Sequence, residues 1–293
     1  MTTSHSTSTA TRLRASLGSG RTLFKGHAYD GLTASIAARA GFDVVSVSGY
    51  NVAASLGLPD VGLTTMTEVL NATRAAVRGA GASPVIADID TGFGNAINLM
   101  RTVREFEAAG VAGVQFEDQV SPKRCPYLGH TPMIDVEEAT GKVRAAAAAR
   151  QGDLVLSART DATTIEEVVA RGKAYVAAGA DMVYVITKHL LRKPEDIQHL
   201  RAALGVPIGF SLFGWNTETL QLKDVKAAGG CLVGFPFVGI TTVARSLQHN
   251  YGELLQNLDI RALPQAMMPI KEFEGLVGFP EVDQAQHEFL PKS

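Results

Sequence analysis

Several features are scarce or missing in this sequence of 293 residues, and each absence narrows the class of protein. Two cysteines are too few for a disulfide scaffold and fit a reducing compartment. No apolar run reaches the roughly 18 residues that a membrane-spanning helix needs. The 27 Lys and Arg residues are balanced by 29 Asp and Glu residues, so no basic surface for nucleic acid is expected. Hydrophobic residues make up 46% of the chain, which is typical of a folded protein.

The N-terminal stretch is mostly Ser and Thr, and no acidic residue precedes Asp30. This composition loosely resembles an organelle transit peptide. We favour the simpler interpretation, a flexible polar terminus over residues 1–15. Because the stretch also lacks the apolar core of a secretory signal, we expect a cytoplasmic protein.

Short apolar runs alternate along the chain with segments of helical periodicity. The runs are nearly continuous in hydrophobicity, as expected for strands that are covered on both faces. Eight strands are predicted, at 22–25, 43–48, 84–88, 113–117, 153–158, 182–186, 207–212 and 231–235. The alternation predicts a (β/α)8 TIM barrel over residues 16–245, with C-terminal helices over 246–293. An open doubly wound sheet is the alternative, but no G-x-G-x-x-G phosphate loop is present.

Active sites of such barrels form at the C-terminal ends of the strands, and acidic residues gather there. Asp88 and Asp90 end the third predicted strand, and Glu117 ends the fourth. Alternating residues of a strand point to one side, so these carboxylates can converge. Without a basic residue beside them, they suit a hard divalent cation such as Mg²⁺. The alternative is that Asp88 to Asp90 only forms a turn.

Three further residues, Lys123-Arg124-Cys125, follow the fourth strand. Two neighbouring cations stabilise a thiolate, whose ordinary pKa of about 8.5 suits proton transfer. A surface loop with an incidental cysteine is the alternative, and the spacing to His130 matches no common zinc site. Arg159, at the end of the fifth strand, suits a substrate carboxylate or pairs with Asp161 to brace the barrel rim.

The chain resembles the isocitrate lyase/phosphoenolpyruvate mutase superfamily from about residue 20 to 240. The matching stretches are Ser48-Gly49, Leu56 to Asp60, Asp88 to Asn95, Phe116 to Gln119, Lys123 to Cys125, Gly129-His130 and Ala158 to Ala162. The resemblance implies a TIM barrel, usually tetrameric, with the last helix exchanged between subunits. It also implies Mg²⁺, for which Mn²⁺ is a possible substitute, and a small 2-oxo or 2-hydroxy acid substrate.

The resemblance further implies roles for individual residues. Asp90 matches the direct metal ligand, while Asp88 and Glu117 match residues that hold the metal through water. Asp60 matches an acid near metal and substrate. Lys123, Arg124 and Cys125 match a mobile loop of the lyases, in which the cysteine is the catalytic acid/base. The expected substrate-binding residues are Ser48, Gly49, Tyr50, Gly129, His130, Arg159 and Ser211.

The chain departs from the lyase pattern at three places. Pro126, Tyr127 and Leu128 separate Cys125 from Gly129, which lyases join directly. Ile186 replaces a glutamate of methylisocitrate-type lyases, and the following Thr187-Lys188 looks like the Ser-Lys of the mutases. Ser211 replaces an asparagine, with the aromatic residues Phe213 and Trp215 nearby. We therefore predict a pocket less polar than one for a tricarboxylate, and we expect neither isocitrate nor methylisocitrate as the natural substrate.

The leading hypothesis is a Mg²⁺-dependent carbon–carbon lyase that cleaves a substituted malate-like 2-hydroxy acid to a 2-oxo acid and a carboxylate. One alternative is an oxaloacetate hydrolase or decarboxylase, or a phosphonopyruvate-type enzyme that cleaves a phosphorus–carbon bond. Another is a noncatalytic protein that binds a small acid. In each case the expected partners are a small carboxylic acid and, from the resemblance, other copies of the chain in a homotetramer.

Overall fold

The computed structural model describes residues 7–126, 129, 131–186, 190–212, 220–263 and 267–291. Eight parallel strands close into a barrel in sequence order, with β1 paired to β8. The strands are β1 Leu23–Ala28, β2 Val44–Val47, β3 Val85–Asp88, β4 Gly113–Glu117, β5 Val155–Thr160, β6 Met182–Val185, β7 Ile208–Ser211 and β8 Cys231–Gly234. Each overlaps a predicted strand, so the prediction of a TIM barrel is confirmed.

Helices follow the strands around the barrel. They are α1 Thr9–Gly18, α2 Gly31–Arg39, α3 Gly49–Ser55, α4 Met66–Ala80, α5 Ala96–Ala108, α6 Val136–Ala149, α7 Ile165–Ala177, α8 Pro194–Leu204 and α9 Leu222–Ala228. Several of these helices begin after a polar residue that caps the helix N-terminus. Asp30, Thr65 and Asn95 each form a capping box at the start of α2, α4 and α5.

The N-terminal end of the barrel is filled by apolar side chains. Inward residues of six strands form one layer with Ala112, and Leu13 and Leu17 of α1 pack against it; the strand residues are Leu23, Val44, Ile86, Val155, Met182 and Leu232. Helix α1 begins at Thr9, inside the stretch expected to be a flexible terminus. Its two buried leucines explain why this part of the terminus is helical. This apolar layer closes the N-terminal end of the barrel interior.

A second compact unit begins at Val238, whereas the sequence placed this boundary after residue 245. Within it lie α10 Val238–Asn257, a 3-10 turn at Ile260–Ala262, α11 Ile270–Val277 and α12 Phe279–Phe289. The exchange of a C-terminal helix between subunits stays a prediction. In the described part of the chain, every helix is too short or too polar to span a lipid bilayer.

Candidate active site

Polar side chains replace the apolar layer toward the C-terminal end of the barrel. They surround a small cavity of about 70 Å³. Its lining includes these residues from seven strands and the loops that follow them: Lys25, His27, Ser46, Ser48, Tyr50, Asp60, Asp88, Gln115, Lys123, Cys125, Arg159, Tyr184, Ile186 and Ser211. Since a water molecule takes up about 30 Å³ of liquid, the cavity has room for a few waters.

The ammonium of Lys123 lies inside a group of carboxylates. Its Nζ is 2.5 Å from Asp60 Oδ1 and 2.8 Å from Asp90 Oδ1, and all three side chains are buried. Burial lowers the pKa of Lys123, but the nearby carboxylates outweigh this effect and hold the pKa above its ordinary value. Burial also raises the pKa of Asp90 to about 6, although Lys123 opposes the shift.

We call the carboxylates of Asp88, Asp90 and Glu117 the acid cluster. The expectation that this cluster lacks a basic partner is therefore wrong. Lys123 comes from the loop after β4, and that loop folds back over the strand ends. The backbone N–H of Cys125 donates to the carbonyl oxygen of Asp60 at 3.2 Å, and the N–H of Arg124 donates to Gln119 Oε1 at 2.7 Å. These bonds place the lysine over the acids although the chain separates them. Because Lys123 lies far from Asp60 and Asp90 along the chain, the sequence did not predict these two ion pairs.

Arg159 is the second cation at the acid cluster. Its Nη1 lies 2.6 Å from Glu117 Oε2, and its Nε donates to Asp161 Oδ1 at 2.8 Å. Burial lowers the pKa of Arg159, but Asp161 and Glu117 outweigh it and raise the pKa well above its ordinary value. The pair with Asp161 that the sequence suggested is thus present, and Arg159 also lines the cavity. Its binding of a substrate carboxylate stays a prediction.

A glycine makes room for Asp88 at the end of β3 and for Asp90 just after it. A Cβ atom at Gly49 would lie 2.6 Å from Asp90 Oδ1 and 3.5 Å from Asp88 Oδ2. The backbone N–H of Gly49 donates to Asp88 Oδ2 at 3.3 Å. Asp90 itself has a left-handed backbone, with φ of 50°, which turns the chain just after the strand. The Asp88 to Asp90 turn and the convergence of the two carboxylates therefore occur together.

The acid cluster has oxygen donors that suit a hard cation. Glu117 is buried, and its Oε1 has no hydrogen-bond partner among the described residues. Within that same part of the chain, no three His, Cys, Asp or Glu side chains stand ready to ligate one ion. Instead, the Lys123 ammonium lies among them. The carboxylates fit Mg²⁺ in chemistry, and a shift of Lys123 would expose their oxygens.

The remaining predicted residues differ in position. Cys125 is 5% exposed and lines the cavity together with Ser48, Tyr50 and Ser211. Arg124 and Gly129 are exposed. The predicted residue His130 lies outside the described residues, as do several residues at the places where the sequence departs from the lyases, namely Tyr127, Leu128, Thr187, Lys188, Phe213 and Trp215.

Sequence reasoning missed the floor of the cavity. Lys25 and Gln115 are joined there by a hydrogen bond of 3.3 Å, and the hydroxyls of Tyr184 and Ser211 are 2.6 Å apart. The sequence of β1 did contain an indication of these residues. Lys25 and His27 are two positions apart, so their side chains point to the same face of the strand. Burial lowers the pKa of His27 well below its ordinary value, so this imidazole is neutral.

Comparisons with known proteins show which family the chain resembles. The model of the family described as phosphoenolpyruvate phosphomutase matches residues 13–247. The chain is 37% identical to 2,3-dimethylmalate lyase of Eubacterium barkeri, over 96% of this chain and 98% of that protein. It is 40% identical to 2-methylisocitrate lyase of Shewanella oneidensis, over 69% of this chain and 70% of that protein.

Solved structures of several activities share the fold. Phosphoenolpyruvate phosphomutase from Streptomyces platensis subsp. rosaceus superposes with a TM-score of 0.87 at 31% identity, over 96% of this chain and 99% of that one. A 2,3-dimethylmalate lyase gives 0.84 at 28%, over 97% and 99%. Oxaloacetate acetylhydrolase bound to 3,3-difluorooxalacetate gives 0.87 at 27%, over 98% of each chain. The chain therefore belongs to the phosphoenolpyruvate phosphomutase family, within the PEP mutase/isocitrate lyase superfamily.

Proposed function

We propose that this protein is a Mg²⁺-dependent carbon–carbon lyase that cleaves a substituted malate-like 2-hydroxy acid to a 2-oxo acid and a carboxylate. The observation that carries the proposal is the buried thiol of Cys125, which lines the same cavity as Asp60, Asp88 and Arg159. A thiol in this place is suited to deliver a proton to a substrate carbon. The similarity to 2,3-dimethylmalate lyase over 96% of the chain supports the same class of substrate.

The acid cluster would hold the metal. Asp90 would bind it directly, and Asp88 and Glu117 would hold its water ligands, as the superfamily resemblance implies. When bound, Mg²⁺ supplies a Lewis acid that polarises the substrate carboxylate and the 2-oxygen. The unpartnered oxygen of buried Glu117 supports this assignment, because such an oxygen is costly unless an ion or water satisfies it.

Different residues of the protein would then orient the substrate, stabilise the developing charge and donate a proton. Ser48 and Gly49 orient the substrate carboxylate beside the acid cluster. A general base takes the proton of the 2-hydroxyl, C2 becomes a carbonyl carbon as the C2–C3 bond breaks, and the electron pair of that bond passes to C3 and the carboxylate attached to it. Arg159 offsets the developing negative charge, and Cys125 donates its Sγ proton to C3. Lys123 and Cys125, both buried, keep water away from this carbanion.

A product assay on a panel of substrates tests the proposal. Purified protein is incubated with Mg²⁺ and with malate, 2-alkyl malates, 2,3-dimethylmalate, methylisocitrate and isocitrate, and 2-oxo acid release is followed. We expect release from an alkyl-substituted malate that EDTA abolishes and that excess Mg²⁺ restores. No release from any member of the panel would contradict the lyase assignment.

Oxaloacetate hydrolysis is the second candidate function. It is favoured by Ile186, which lines the cavity where methylisocitrate-type lyases carry a glutamate, and by the fold shared with oxaloacetate acetylhydrolase. Hydrolysis gives oxalate and acetate from oxaloacetate, and phosphonopyruvate cleavage releases phosphate that phosphorus NMR detects. A protein that turns over none of these acids would be the noncatalytic binding protein. The expected homotetramer and cytoplasmic location also remain predictions.

A further inference from the structure

The barrel interior is built to accommodate Lys25. This residue lies on β1, one inward position above the apolar layer that Leu23 joins, and its side chain is 1% exposed. Its register partner on β8 is Gly234, where a Cβ atom would lie 2.7 Å from Lys25 Cε. A side chain at Gly234 would therefore displace the lysine. The neighbouring strand thus leaves the space in which the long side chain crosses the barrel.

The ammonium of Lys25 ends beneath the cavity, with few partners. Its Nζ donates to Gln115 Oε1 on β4 at 3.3 Å and lies 4.5 Å from the centroid of the Tyr184 ring on β6. No carboxylate oxygen of the described residues lies within 4.0 Å of this nitrogen. The other two cations of the cavity differ, because Lys123 and Arg159 each contact two carboxylates.

A buried ammonium without a counter-ion is costly, since leaving water costs several kcal/mol that no partner returns. Replacement by an apolar residue of similar length would remove that cost. The lysine lines the cavity in which the substrate is proposed to bind, so a ligand can supply the missing negative charge. The acid cluster of Asp88 and Asp90 lies toward β3 and would hold the metal with the substrate's first carboxylate.

We propose that Lys25 binds the second carboxylate of the substrate, the one attached to C3, and so makes the site specific for dicarboxylic acids. This inference rests on the lyase function proposed above. When the C2–C3 bond breaks, its electron pair forms a double bond between C3 and that carboxylate carbon, and the two oxygens gain a second negative charge. The Lys25 cation contacts these oxygens and transfers no proton. The proton that C3 gains comes from Cys125, and the resulting enediolate becomes a carboxylate again.

The test compares Lys25→Met, which keeps the length of the side chain, with Lys173→Met, which removes an exposed lysine of α7. Thermal unfolding first establishes that both variants fold. The substrate found in the panel and its C4 carboxamide are then compared by kcat/KM. We expect the wild-type preference for the acid over the amide to fall by about 10- to 100-fold in Lys25→Met, the range for a hydrogen bond to a charged group. It should stay unchanged in Lys173→Met.

A binding experiment separates this inference from the proposed function. With Mg²⁺ present and no 2-oxo acid, calorimetry compares succinate, which has both carboxylates of malate, with butyrate, which has the same length and one carboxylate fewer. Wild type should prefer succinate by about tenfold or more, and Lys25→Met should lose that preference even if no member of the panel is turned over. Equal binding of the two acids by wild type would overturn the inference. An unchanged preference in a folded Lys25→Met protein, or an equal loss for both acids, would also overturn it.

Discussion

Lys123 Nζ lies 2.8 Å from Asp90 Oδ1, so the ammonium of a loop residue is the nearest cation to the expected metal ligand. The same nitrogen lies 2.5 Å from Asp60. The loop after β4 therefore closes over the strand ends by an electrostatic contact with the acid cluster. A divalent cation at Asp90 and the ammonium at its present position would repel each other. Metal binding and the position of this loop should consequently be coupled.

We predict that Lys123→Met increases the affinity for Mg²⁺ in the absence of substrate. The ion would no longer have to displace an ammonium from the carboxylates, and we expect a gain of about tenfold or more. Isothermal calorimetry on the wild type and the variant measures it, with Lys223→Met on α9 as the control. Unchanged or weaker Mg²⁺ binding in Lys123→Met would show that the two cations do not compete.

We predict that Gly49→Ala reduces turnover by about 100-fold, because the new methyl group would lie 2.6 Å from Asp90 Oδ1 and displace this carboxylate. Gly141→Ala in α6 is the matched control, because the nearest atom to its Cβ would be 4.0 Å away. That control should keep full turnover and gain roughly 0.5–1 kcal/mol in unfolding free energy. Normal turnover by a folded Gly49→Ala protein would show that Asp90 needs no such space.

The sequence was sufficient to predict the barrel, because strand order and helix starts depend on local patterns. Eight apolar runs mark the strands, and capping residues such as Asp30 and Asn95 mark helix starts, each within a few residues of its position in the structure. The acid cluster was likewise predictable, since Asp88 and Asp90 end one strand and Glu117 ends the next. Parallel strands in a barrel bring their C-terminal ends together whatever the loops do.

Contacts made across the barrel could not be predicted in the same way. Whether Lys123 reaches Asp90 depends on the course of a loop, and Arg159 pairs with Glu117 from the adjacent strand. Lys25 was not recognised because its strand was predicted to end at this residue, whereas β1 continues to Ala28. Because β1 continues past Lys25, this side chain lies inside the barrel, below the strand ends where the sequence placed the site. An error of three residues thus concealed a buried cation.

We predict that Tyr175→Phe destabilises the protein without changing turnover more than about threefold. The Tyr175 hydroxyl donates to the buried Asp118 carboxylate at 2.6 Å, and Asp118 also accepts the backbone N–H of Asp161. Loss of a hydrogen bond to a buried charge costs about 1.5–3 kcal/mol. Urea unfolding measures the change, and Tyr251→Phe, at an exposed position, should stay within about 0.5 kcal/mol of wild type.

We predict that the stability of wild type relative to Lys25→Met depends on pH. Burial lowers the pKa of Lys25 from 10.5 to about 8, so between these values the unfolded chain holds a proton that the folded chain has released. Wild type should therefore gain up to roughly 3 kcal/mol on this variant as the pH rises through that window. Below pH 8 the buried charge remains, and Lys25→Met should be the more stable protein. Denaturant unfolding of both from pH 7 to 10.5 measures this, and a constant difference would contradict it.

Cys125 and the acid cluster are proposed to break a carbon–carbon bond together, and a kinetic comparison of wild type with Cys125→Ser tests this. Release of 2-oxo acid from 2,3-dimethylmalate is measured with wild type and Cys125→Ser, each with and without Mg²⁺. We expect Mg²⁺-dependent release by wild type and a loss of about 100-fold or more in kcat for the variant, with KM little changed. Full turnover by Cys125→Ser, or release that persists in EDTA, would contradict it.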